Sequence, residues 1–118
     1  MNWKLVDLTV HGDERGNLVA IEKGQGIDFD IKRVFYIYSV KSDRGGHANK
    51  RSKFLLVALN GSLKVFLDDG NRQETVVLNS RDKGLYINNM VWKRMYDFLD
   101  GTVVMILASE VYDKEEYY

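Results

Sequence analysis

Apolar residues in this chain come in short runs rich in Val, Ile, Leu, Phe and Tyr, separated by turn-forming pairs of glycine, asparagine and aspartate. Runs of that length, bounded by such residues, predict strands. The pattern places them near residues 3–10, 17–22, 33–40, 52–59, 62–67, 73–79, 84–87, 91–97 and 102–109. No window carries apolar residues at i, i+3, i+4 and i+7 through three turns, so no long helix is expected. Asn60-Gly61 predicts a type I′ hairpin, since both central residues of that turn need positive φ, and Asp69-Gly70 and Asn88-Asn89 mark further turns. So many short strands in a small domain imply an all-β sandwich, jelly roll or barrel.

With 118 residues the chain is expected to form a single domain over 1–118. Seventeen basic and seventeen acidic residues cancel without long blocks of either sign. That argues against nucleic-acid binding and leaves any anionic ligand to a few placed cations. No apolar run approaches the ~20 residues of a membrane-spanning helix, and the start MNWKLVDLTV lacks the basic-then-apolar order of an export signal. A soluble cytoplasmic protein without a membrane partner is the expectation. The absence of cysteine excludes disulfides, thiolate catalysis and Cys-type zinc sites. The tail EVYDKEEYY reads as a solvated terminus with one or two docked tyrosines.

One stretch narrows this to a fold. Residues 44–61, RGGHANKRSKFLLVALNG, resemble the first motif of cupin barrels, in which metal-binding members carry His-x-His, three or four residues, Glu, then six residues to a Gly. Here His47 stands alone, Asn49 takes the second histidine position, and Lys53 or Phe54 falls where the glutamate belongs. The second motif, counted from Gly84, puts Met90, Trp92, Met95 and Leu99 where proline, glycine, the last ligand histidine and asparagine would stand. One imidazole cannot make a mononuclear site, so a jelly-roll barrel with no metal and no cofactor is expected. Read as a strand, the segment puts His47, Asn49, Arg51 and Lys53 on one face, and the cupin register turns that face into the cavity. His11 lies outside the frame and is read as an ordinary histidine. Arg44, beside a Gly-Gly pair, offers a guanidinium suited to a phosphate or a developing enolate. Tyr36 and Tyr38, two apart on the preceding strand, offer phenols for proton relay or a sugar hydroxyl.

Together RVFYIYSV, RGGHANKRSKFLLVALNGSLKVFLDDG, KGLYINNMVWKRMYDF and LASEVYD resemble the sugar-nucleotide 3,4-ketoisomerases, cupins acting on dTDP-4-keto-6-deoxyglucose in dTDP-sugar biosynthesis. Asp13-Glu14-Arg15-Gly16 is similar to an element of the related 3,5-epimerases. The resemblance implies a metal-free homodimeric jelly roll that moves a carbonyl from C4 to C3. For that reaction the motif register makes His47 the candidate base, Arg44, Tyr38 and Asn49 candidate donors to the developing oxyanion, and Tyr36 or Tyr38 a candidate relay. Arg15, Arg51 and Lys53 are candidates for the pyrophosphate, and Trp92 for the base or sugar. The family's active-site motif is His-Ala-His, and Asn49 departs from it, since an amide exchanges no proton near neutral pH. A non-catalytic sugar-nucleotide-binding cupin, a metal-dependent superfamily enzyme and a 3,5-epimerase stay open as alternatives.

Overall fold

Strand Phe54–Asn60 has five consecutive buried residues, whereas Leu63–Asp68 alternates buried and half-buried positions. The difference sets the architecture: the first strand is covered on both faces and the second on one. The computed structural model describes residues 2–118 and contains β1 (Trp3–Asp7), β2 (Val10–Asp13), β3 (Gly16–Val19), β4 (Glu22–Lys23), β5 (Gly26–Ile27), β6 (Arg33–Ile37), β7 (Arg44–His47), β8 (Phe54–Asn60), β9 (Leu63–Asp68), β10 (Gln73–Leu78), β11 (Lys83–Ile87), β12 (Trp92–Tyr96) and β13 (Val103–Ala108). A 3₁₀ turn, Lys114–Glu116, follows.

An antiparallel five-stranded sheet in the order β1-β11-β8-β13-β6 faces a four-stranded sheet in the order β10-β9-β12-β7. Phe54, Leu56, Leu63, Val65, Leu67, Leu85, Ile87, Val104 and Ile106 fill the space between them. The outer face of the five-stranded sheet carries Leu55, Val57, Tyr86 and Leu107, covered by Leu8, Ile27 and Phe29. This second layer explains the unbroken apolar run in β8. Two small sheets, β2-β3 and β4-β5, stand outside the pair. The arrangement is the all-β, cupin-type jelly roll that the sequence predicts.

Several boundaries differ from expectation. The predicted strand 3–10 breaks in two because Leu8 turns into the second apolar cluster while its amide donates to the Asp82 carbonyl at 2.8 Å. β6 ends at Ile37, shortly before Ser39 at φ 53, and β12 ends at Tyr96, before Asp97 at φ 55. Asn60-Gly61 makes no type I′ hairpin: Gly61 alone has positive φ, and β8 and β9 belong to different sheets. Glycine is needed there because a Cβ would lie 2.8 Å from Thr102 Cα. Asp69-Gly70 does close a hairpin, with Asp69 Oδ1 accepting from the amides of Asn71 and Arg72.

Candidate active site

β6 and β7 are edge strands of the two sheets, and a cavity of about 290 Å³ opens between them. Period two decides what enters it. On β6, Arg33, Phe35 and Ile37 face the cavity, so Tyr36 and Tyr38 point to the other side, each 64% exposed and stacked on one another at 6.1 Å. On β12, Lys93 and Met95 face in. Trp92 lies outside the cavity lining and meets Phe66 edge-on at 6.0 Å.

β7 supplies Arg44 and His47. The bulge is on β7, where Gly46 is the extra residue between Gly45, opposite Arg94, and His47, which stands opposite Lys93 in the register. Gly45 permits that approach, with φ +91 and a missing Cβ that would lie 2.8 Å from the Lys93 carbonyl oxygen. Beyond His47 the strand stops. Residues 48–53 run irregularly, so the expected single face of His47, Asn49, Arg51 and Lys53 does not form. His47 and Asn49 line the cavity. The exposed Arg51 reaches Asp113 Oδ2 at 3.2 Å, and the Lys53 ammonium lies 3.8 Å from Asp28, outside the cavity. Arg15 sits on the β2-β3 hairpin, paired with Asp13 at 2.7 Å, likewise outside it.

Two ionisable residues that the motif frame passes over are buried here, Lys93 at 8% exposure and Glu116 at 1%. Asn49, 5% exposed, joins them: Lys93 Nζ donates to Asn49 Oδ1 at 2.8 Å, and Asn49 Nδ2 donates to Glu116 Oε1 at 2.7 Å. Lys93 also lies 4.6 Å from the centroid of the Phe54 ring. Glu116 Oε1 accepts from the Ser52 amide at 3.3 Å. Its Oε2 lies 3.4 Å from an Arg51 guanidinium nitrogen, close enough for an ion pair but without hydrogen-bond geometry. The tail that reads as solvated is therefore part of the site. Lys93 had a signal in the sequence, since it is two residues from Met95 and shares its face. Glu116 had none, being one acid among several in a polar terminus.

Burial pulls the Lys93 ammonium down to about 8, against the pull of Glu116. His47 also falls below the ordinary histidine value, chiefly through burial and then through Lys93, with the Gly45 backbone and Glu116 opposing. A neutral imidazole near pH 7 accepts a proton, and the charged Arg33, Arg44 and Lys93 around it suit an anionic intermediate. Burial raises the Tyr117 phenol, and Tyr112 adds to that. The donor set does not fit a metal. Of the frame positions, Asn49 Oδ1 is taken by an ammonium and Met95 offers only a thioether. No group of three His, Asp or Glu suited to an ion occurs among the described residues.

Comparison with known proteins bears on this cavity. The family model described as "FdtA: WxcM-like, C-terminal" matches residues 1–118. TDP-4-oxo-6-deoxy-alpha-D-glucose-3,4-oxoisomerase from Aneurinibacillus thermoaerophilus is 45% identical over 99% of this chain and 86% of its own length. The solved structure of WlaRA, a TDP-fucose-3,4-ketoisomerase from Campylobacter jejuni, is 38% identical with a TM-score of 0.96, covering 100% of this chain and 89% of that one. A mutant of the 3,4-ketoisomerase QdtA from Thermoanaerobacterium thermosaccharolyticum, in complex with TDP-4-keto-6-deoxyglucose, is 39% identical with a TM-score of 0.93, covering 99% and 86%.

Proposed function

The chain belongs to the FdtA family of WxcM-like proteins, and we propose that it is a sugar 3,4-ketoisomerase acting on dTDP-4-keto-6-deoxyglucose. One observation carries the reading: a half-buried imidazole, held neutral, stands in a cation-lined cavity of a fold shared with 3,4-ketoisomerases. In the proposed reaction His47 takes the proton from C3, made acidic by the C4 ketone. The electron pair forms the C3–C4 double bond and the carbonyl oxygen becomes an enediolate oxygen. Arg44 and Lys93 supply positive charge to that oxygen. Protonation at C4 and loss of the C3 hydroxyl proton leave the ketone at C3. The step conserves atoms and needs no oxidant.

A homodimer belongs to the same proposal. The β2-β3 hairpin pairs only with itself and is exposed except at Val19, and edge strand β6 presents Val34 and Tyr36 outward, with Tyr38 following. These surfaces suit a second copy. Arg15, Tyr36 and Tyr38, which do not line their own chain's cavity, would then act on substrate only from that copy. The test is incubation with dTDP-4-keto-6-deoxyglucose in heavy water, followed by proton NMR. A 3-keto sugar with deuterium at the former carbonyl carbon is expected. Binding without carbon-bound exchange would instead favour a non-catalytic sugar-nucleotide-binding cupin, and exchange at C5 a 3,5-epimerase.

A further inference from the structure

His47 does not stand free in the cavity wall. The Tyr117 ring lies on its imidazole at 4.1 Å between centroids and 29° between planes. What seats Tyr117 there is a set of contacts that starts on the opposite strand. Lys93 donates to the Asn49 carbonyl oxygen, and the Asn49 amide nitrogen donates to Glu116. Backbone bonds flank this bridge: the Lys50 amide donates to the Glu116 carbonyl at 2.8 Å, and the Tyr118 amide to the Ala48 carbonyl at 2.9 Å. A carboxamide accepts on one end and donates on the other. Here it joins a buried cation to a buried anion, each of which would be expensive to leave unmatched.

With His47 taken as the base, as in the reading above, we propose that Asn49 is a positioning residue: by bridging Lys93 to Glu116 it docks the C-terminal segment over the cavity and seats Tyr117 against His47. The amide serves the reaction without touching substrate or moving a proton. The imidazole is thereby held at one orientation, and small misplacements of a reacting group lower rates steeply.

The requirement at position 49 is one acceptor toward Lys93 and one donor toward Glu116. A neutral imidazole meets it, aspartate offers acceptors only and sets a second carboxylate against Glu116, and alanine offers neither. The charged and titratable groups that line the cavity with His47 are Lys93 from β12, Glu116, Tyr117, Tyr112 and Asp113 from the tail, Arg44 on its own strand and Arg33 across the cavity. Removing Asn49 frees the first three from their fixed places.

Proton NMR of the imidazole resonances in the unliganded full chain tests this. The chain has two histidines, so exposed His11 is an internal reference, assigned with His11→Gln. His47 should resonate upfield of His11 because a tyrosine face covers it. Asn49→Ala should shift His47 toward the His11 position and lower kcat about tenfold or more, with the affinity for TDP alone kept within about threefold. Asn49→His should regain most of that kcat, and Asn49→Asp should not. Tyr117→Leu, at a partly exposed position that does not threaten folding, should abolish the upfield shift and lower kcat. An unmoved His47 resonance in Asn49→Ala overturns the proposal, as does a loss of TDP affinity in step with kcat. The resonance test stands whether or not the wild type isomerises its substrate, so failure of the isomerase reading and failure of the bridge are separate results.

Discussion

In the proposed reaction, proton abstraction depends on the balance of charge around one imidazole. Burial and the Lys93 ammonium depress His47, and Glu116 partly restores it. With His47 as the proposed base, its neutral form is the active one, so kcat/KM should hold down to a pH below the ordinary histidine value and then fall with acid. Lys93→Met removes a depressing charge, and a pH–rate series should show its acid limb moved to higher pH. His47→Asn should lower kcat about 10²- to 10⁴-fold with TDP affinity retained, as measured by titration calorimetry. Lys93 has its own signature in stability. With its pKa near 8 in the fold against 10.5 unfolded, the unfolded chain binds more protons between these values, so stability rises as pH rises through that window. The burial withholds roughly 3 kcal/mol at neutral pH. Urea midpoints should increase from pH 7.5 to 9.5 in the wild type and change less in Lys93→Met.

At the scale of single elements, β7 is short, contains two glycines and has no apolar residue, yet it carries His47. Gly45→Ala combines a left-handed φ with a Cβ only 2.8 Å from the Lys93 carbonyl oxygen, while Gly46→Ala shares the φ problem with nothing within 4 Å. Urea unfolding should show a loss of about 1 kcal/mol for Gly46→Ala. Gly45→Ala should lose more, about 1–3 kcal/mol, and lose turnover with it. β7 also marks the limit of what the sequence discloses. The apolar runs of β8, β9, β11 and β13 announce themselves because burial drives their composition, whereas β7 is defined by the fit of its own bulged backbone to β12, which leaves no hydrophobic period. His47, Arg44 and Asn49 were legible through motif spacing, and all three reach the cavity. The Asn49 amide is turned to Lys93 and Glu116, however, and the assumed strand that would have brought Arg51 and Lys53 beside it ends at His47. Glu116 lies 67 residues from Asn49 along the chain, a separation at which no local pattern signals contact.

Over the whole molecule, the cavity holds His47 and nearby cations, whereas Arg15 stands on a hairpin that packs on neither large sheet as a strand. If Arg15 serves substrate from a second copy, each active site draws on two chains, and the genetics of the pair becomes asymmetric. Arg15→Ala and His47→Asn subunits, mixed and allowed to exchange, form heterodimers with one site carrying both defects and one carrying neither. At low substrate, where loss of a phosphate-positioning cation raises KM, the equilibrated mixture should turn over faster than the average of the two separate variants. Sedimentation of the wild type should give twice the mass of one chain over the same concentration range. A mixture equal to the average would assign Arg15 to its own chain or to no substrate contact, and a monomer in sedimentation would remove the shared site altogether.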